Sequence, residues 1–99
     1  MQIVLTTLPK DRAEEIKTLI LEEKLAVCVL ELESKSKYLW KGKIESDTEA
    51  LLAFKTDRAE ELKKRIKEVH PYEIPFIASI DIADVNEEYL EWLKEQLKS

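Results

Sequence analysis

The sequence predicts an α+β sandwich: a four-stranded antiparallel sheet with two helices on one face and an extra helix at the C-terminal end. Three observations carry this. The chain has 99 residues, 44% of them apolar, enough for one hydrophobic core and two layers but not for a second core. The apolar spacing switches repeatedly between a period of two and a period of 3.6. Finally, Lys10-Asp11-Arg12-Ala13-Glu14-Glu15-Ile16 returns as Thr56-Asp57-Arg58-Ala59-Glu60-Glu61-Leu62, each copy sitting where a strand pattern enters a helix pattern. A common helix opening would give the same match, but its βα position in both halves favours a duplicated βαβ unit. Two such units make the ferredoxin-like βαββαβ arrangement, here a single domain over residues 1–99.

The elements follow in order. Residues 2–7 carry Ile3, Val4 and Leu5 before Thr6 and Thr7, a short strand that Pro9 ends. Asp11, with Glu14 three residues on, is placed to cap a helix and to put negative charge at its positive end. Ala13, Ile16, Leu19 and Ile20 then mark a helix to about Lys24. Residues 26–33 alternate: Ala26, Cys28, Leu30 and Leu32 share one face, and Val27, Val29, Glu31 and Glu33 the other. The polar stretch 33–37 loosens this pattern before Tyr38, Leu39 and Trp40 resume it. Gly42, the only glycine, marks a bend or bulge. A strand over about 48–55, with Ala50, Leu52 and Phe54 on one face, completes a long antiparallel hairpin. Thr56 or Asp57 caps the next helix, with Ala59, Leu62, Ile66 and Val69 as its buried stripe. A strand over 76–83 follows, with Phe76, Ala78, Ile80 and Ile82 on one face. Asn86 caps the last helix, to which Tyr89, Leu90, Leu93 and Leu97 give an apolar side.

Between the second helix and the last strand lies His70-Pro71-Tyr72-Glu73-Ile74-Pro75. Two prolines four apart cannot share a helix, and each forces the residue before it to be extended. The segment is therefore a stiff connector, and it presents the chain's only histidine and a phenol at a helix end.

Composition excludes several classes. Net charge is −5 with no basic patch interleaved with aromatics, so nucleic acid is not an expected partner. No apolar run approaches the ~20 residues of a membrane span, and no leader pattern opens the chain. A cytoplasmic protein without a membrane partner is expected. One cysteine rules out a disulfide framework or a CxxC metal site. Charged residues reach 37% while Asn, Gln, Cys and Met are scarce, a composition typical of heat-adapted proteins. Ser34, Ser36 and Ser46 have no histidine partner other than His70, and a single glycine precludes a phosphate-cradling loop. Neither catalysis nor an organic cofactor is predicted.

Three candidate sites remain. His70 can ligate a metal through a neutral imidazole, or simply close a helix end, where the dipole favours the protonated ring. Cys28 is a soft ligand suited to Cu(I), but its place on the apolar face of a strand favours core packing. Tyr38, Trp40, Glu49, Lys55 and Tyr72 can line one cleft for a small anion or nucleotide, or belong to a subunit interface, where Tyr and Trp are enriched. Helices cover only one face of such a sheet, yet the hairpin is apolar on both faces near Val27 and Cys28. That surplus predicts an oligomer.

Five segments resemble the CutA divalent-cation tolerance family. These are Ala26-Val27-Cys28-Val29; Ser36, Tyr38, Trp40, Gly42 and Lys43 in a Ser-x-Tyr-x-Trp-x-Gly-Lys pattern; Glu49 with Lys55-Thr56; His70 to Pro75; and Tyr89-Leu90-Glu91-Trp92. The resemblance spans nearly the whole chain. It implies a ferredoxin-like, PII-like homotrimer built through the long hairpin and a role in tolerance to copper and other divalent metals. It leaves room for a small ligand between subunits or for a protein partner anchored on a structural trimer. Leu30, Phe76 and Asp84-Val85-Asn86 depart from the family pattern. Members credited with copper ligands pair a first-strand cysteine with a double histidine before Pro-Tyr. Those positions hold Thr6, Val69 and His70 here, so His70 is the metal ligand that the resemblance implies.

Overall fold

A computed structural model of the chain describes residues 1–98. The elements are β1 (Gln2–Leu8), α1 (Lys10–Glu22), β2 (Cys28–Trp40), β3 (Lys43–Thr56), α2 (Ala59–Val69), β4 (Ile77–Asp81) and α3 (Glu87–Leu97). The four strands form one antiparallel sheet in the order β2-β3-β1-β4. This is the order that two interleaved βαβ units produce, so the repeated helix opening did mark a structural duplication.

Strand parity decides what is core. Val4 and Leu8 of β1 and Ala50, Leu52 and Phe54 of β3 lie on the helix-covered face and pack with Ala13, Ile16, Ile20, Leu62 and Ile66. On β2 the residue aligned with Phe54 is Val29, so Val29 joins the core. Cys28 therefore points to the opposite face, half-buried, together with Leu30 and Leu32, which are 49% and 58% exposed. Core packing of Cys28 is corrected by this one-residue parity. Glu31 and Glu33, on the helix side, reach up to α1: Lys17 Nζ meets Glu31 at 2.7 Å and Lys10 Nζ meets Glu33 at 2.8 Å.

The ends of the elements also differ in detail from expectation. Pro9, not Asp11, is the N-cap of α1, and Asp11 sits in its first turn. α1 closes with a left-handed Lys24, φ 56°, whose N–H donates to Leu21 O while the Leu25 N–H donates to Ile20 O. That pair of bonds is the Schellman closure. Arg58 is the N-cap of α2, and Thr56 assists from upstream: its Oγ1 accepts the Arg58 N–H at 2.8 Å and donates to Leu25 O at 2.7 Å. Asn86 is the N-cap of α3, as expected, but its side chain reaches Glu88 instead of a backbone donor.

The hairpin is longer and more regular than the sequence suggested. β2 runs unbroken through 33–37, and β3 begins at Lys43, not near 48. No bulge occurs at Gly42. Lys41 and Gly42, with φ 51° and 79°, form a two-residue turn that sets Trp40 opposite Lys43 and the register of every pair behind them. β1 supports β3 only from Ala50 onward. The pairs from Ser34–Glu49 to Trp40–Lys43 therefore project as a two-stranded arm. The arm gives the molecule extents of 46 × 25 × 21 Å and a radius of gyration of 14.4 Å, above the ~13 Å of a compact chain this size.

Candidate functional site

The stiff connector after α2 lands where the arm leaves the sheet. Helix α2 ends at Val69 because Pro71 cannot continue it, and the His70 N–H closes it on Ile66 O at 2.8 Å. The His70 ring turns away from the helix, toward the end of β1. Its Nε2 lies 2.9 Å from Thr7 O and 3.1 Å from Thr6 Oγ1. On the other side the Tyr72 N–H donates to Nδ1 at 3.1 Å. A carbonyl can only accept and an amide N–H can only donate, so the ring is the neutral Nε2–H tautomer. Its pKa is lowered, chiefly by burial and further by the Arg12 guanidinium, against the pull of Thr7 O and the Glu49 carboxylate. The helix-end reading of His70 holds for its backbone; its ring is neutral, not protonated.

The Tyr72 ring lies 5.0 Å from the imidazole, tilted by 52°. Its hydroxyl donates to Glu49 Oε2, while Ser36 Oγ donates to Glu49 Oε1 at 2.7 Å. Glu49 is only 7% exposed, so its carboxylate depends on these two donors in place of water. Burial and the same carboxylate push the Tyr72 phenol far above its usual value. Tyr38, on the same face of β2 as Ser36, is raised by burial and by the negative charges of Asp47, Glu45 and Glu49.

The expected site residues thus separate into groups. Glu49, Tyr72 and His70 come together at the base of the arm, and Tyr38 lies farther out, opposite Glu45, within reach of the Glu49 charge. Trp40 lies at the arm's tip, with Lys41 Nζ 5.8 Å from its ring centroid. Lys55 lies at the other end of β3, opposite Cys28 and 4.9 Å from the Tyr89 ring centroid on α3. The twelve residue steps from Lys43 to Lys55 along β3 span ~40 Å, so one chain cannot fold Trp40 and Lys55 into a single cleft. Cys28 and His70 are likewise apart: Lys55, the partner of Cys28, faces Ile3 at the start of β1, whereas His70 grips its end. Among the described residues no three His, Cys, Asp or Glu side chains converge on a possible metal position. Ser36, Thr6 and Thr7 were missed as partners. The Lys41-Gly42 turn was the available signal for Ser36, since a two-residue loop places Ser36 opposite Asp47 and diagonal to Glu49 on the same face.

A model of the CutA1 divalent ion tolerance protein family matches residues 2–96. The chain belongs to that family. The divalent-cation tolerance protein CutA of Pyrococcus horikoshii is 48% identical and matches over 99% of both chains, and its crystal structure superposes with a TM-score of 0.94. The PII-like protein CutA from Nostoc sp. PCC 7120, in apo form, superposes at 0.93 with 36% identity, covering 99% of this chain and 98% of the other. The periplasmic divalent cation tolerance protein CutA from Archaeoglobus fulgidus gives 0.92 with 33% identity, covering 99% and 100%. The fold is therefore the PII-like one of CutA proteins, as the sequence resemblance implied.

The donors of this CutA chain do not suit a copper centre built within one chain. Both His70 nitrogens are engaged, both Glu49 oxygens accept hydrogen bonds, and Cys28 stands at the far end of the sheet. Copper and zinc centres need three or four convergent ligands.

Proposed function

We propose that this CutA protein is a non-enzymatic homotrimer that supports tolerance to copper and other divalent cations through its assembled form and not through a metal centre within one chain. The helix-free side of the sheet carries the reading. Ile3, Leu5, Cys28, Leu30, Leu32, Leu51, Ala53 and Ile80 share that side, where Leu30, Leu32 and Ile80 are exposed and Lys55 meets Tyr89 of α3. Apolar area of that extent is covered in stable proteins, and further copies of the same chain, packed head-to-tail in a closed ring, are the economical cover. The projecting arm needs the same partner, because a two-stranded ribbon is marginal alone in water. Non-enzymatic action fits the polar cluster, in which each candidate base already has its proton partner. The cytoplasm is the proposed compartment, consistent with the free thiol of Cys28.

Expression in a copper-sensitive bacterial strain lacking its own family member tests the role. The native chain restores growth in copper, and Leu32→Asp, which places a charge on the open face, does not. Equal rescue by both would sink the dependence on assembly.

A second reading, a PII-like sensor holding a small ligand between subunits, is favoured by the spread of Trp40, Tyr38 and Lys55 along one face of the hairpin. Only neighbouring copies could bring them into one cleft. A thermal shift with a nucleotide or organic anion, abolished by Lys55→Ala, supports it; no shift across such a screen removes it.

A further inference from the structure

His70 is where the family resemblance puts metal chemistry, and its surroundings assign it another task. The Nδ1 lone pair is taken by the Tyr72 N–H, and Nε2 carries the proton that Thr7 O accepts. A cation at Nδ1 must displace the Tyr72 amide. A cation at Nε2 must expel that proton and leave the Thr7 carbonyl without its donor. Both routes approach a ring that already feels the positive charge of Arg12. The same ring begins a chain of contacts that ends on the arm. Pro71 limits the backbone between His70 and Tyr72, so fixing the imidazole fixes the phenol. The Tyr72 hydroxyl holds Glu49, and Glu49 is held in turn by Ser36 across the ladder. Glu49 directly precedes Ala50, the last β3 residue that β1 supports, so this is the hinge line of the arm.

We infer that His70 is an uncharged clamp, not a metal ligand: through Tyr72 and Glu49 it fastens the base of the β2–β3 arm to the body of the sheet. The clamp spans three parts of the fold, the end of α2, the end of β1 and both strands of the arm. His70, Tyr72 and Glu49 are positioning residues for whatever surface the arm presents. Where that surface is the subunit contact proposed above, the clamp sets its geometry; the contacts that define the clamp exist within one chain and do not rest on that reading.

A single histidine makes the test direct. In the 15N-labelled full chain at pH 7.5, long-range 1H–15N correlation reports the tautomer of that one ring. The Nε2–H pattern is expected, unchanged on addition of Zn(II) to millimolar concentration. Hydrogen exchange of amides 34–40 and 43–49 is compared in the native chain, His70→Gln and Tyr72→Phe, with the mass of each species measured at the same concentration. Tyr72→Phe keeps the ring contacts and removes only the bond to Glu49, so it separates the clamp from general misfolding. Exchange in the arm at least tenfold faster in both variants, with α1 exchange unchanged, is the expected result. An Nδ1–H or doubly protonated ring, a saturable zinc shift of the ring nitrogens, or an arm unmoved by Tyr72→Phe overturns the clamp. A single-chain mass with an intact clamp would overturn the trimer alone.

Discussion

At the residue scale, what matters is whether each buried polar group has a partner. Thr56 is fully buried between two backbone groups, donating to Leu25 O and accepting from Arg58 N–H. Thr56→Val keeps its shape and removes both bonds, so it should cost about 1–3 kcal/mol in denaturant unfolding. An unchanged midpoint would deny that Thr56 ties the α1–β2 turn to the start of α2. His70 gives a pH dependence with a definite sign. Its folded pKa is lowered, so the unfolded chain takes up the proton first as pH falls. The stability that this neutral ring provides is complete above about pH 6.5 and declines below it. A His70→Gln chain should show less of that decline between pH 6.5 and 5; an identical profile would place the titration elsewhere. The importance of His70 was legible in the sequence from its being the only histidine, wedged between a helix pattern and a proline. Its tautomer was not, because the Thr7 carbonyl is 63 residues away and the ring turns off the helix axis.

At the scale of elements, the turns hold most of what the sequence left open. Lys24 closes α1 in the left-handed region, where a Cβ clashes with the carbonyl. Lys24→Gly should stabilise the chain by about 1 kcal/mol, read as a higher melting temperature. Gly42 shows the opposite sign: at φ 79°, with open space around it, Gly42→Ala should destabilise through backbone strain alone, again by about 1 kcal/mol. Equal melting temperatures for Gly42→Ala and the native chain would count against a strained two-residue turn. The strands and helices were legible wherever one face is core. In the outer half of the hairpin the sequence pattern is loosened over 33–37 because no core imposes one there; polar Ser34, Lys35, Ser36 and Lys37 hold the strand by ladder pairing instead. The identity of the buried face of β2 was also hidden, since Cys28, Leu30 and Leu32 look more core-like than Val29, Glu31 and Glu33. Glu31 and Glu33 point toward α1 by the parity that Val29 sets, and Lys17 and Lys10 there receive them.

At the scale of the whole molecule, charge and shape point in different directions. Ion pairs join the elements: Arg65 of α2 grips Glu23 at the α1 end with two bonds of 2.8 and 2.9 Å, and Lys10 and Lys17 of α1 reach β2 in the sheet. Exposed pairs are individually weak, yet networks gain value with temperature. The chain should melt above the roughly 45–65 °C of ordinary domains, and melt somewhat lower in 1 M salt, where such pairs are screened. Melting inside that ordinary range would contradict the heat-adapted reading of the composition. Shape, in contrast, is incomplete: an apolar sheet face lies open and a two-stranded arm extends past its support. The sequence showed this surplus as apolar residues on both faces of one hairpin, but not where the arm leaves the sheet, which is set by the length of β1. The most direct test is the solution mass of the full chain by sedimentation, measured at micromolar concentration beside Leu32→Asp. A native species of three times the 11.6 kDa chain mass, reduced to smaller species in the variant, is what assembly through the open face predicts. A native chain that sediments as a folded monomer would contradict it.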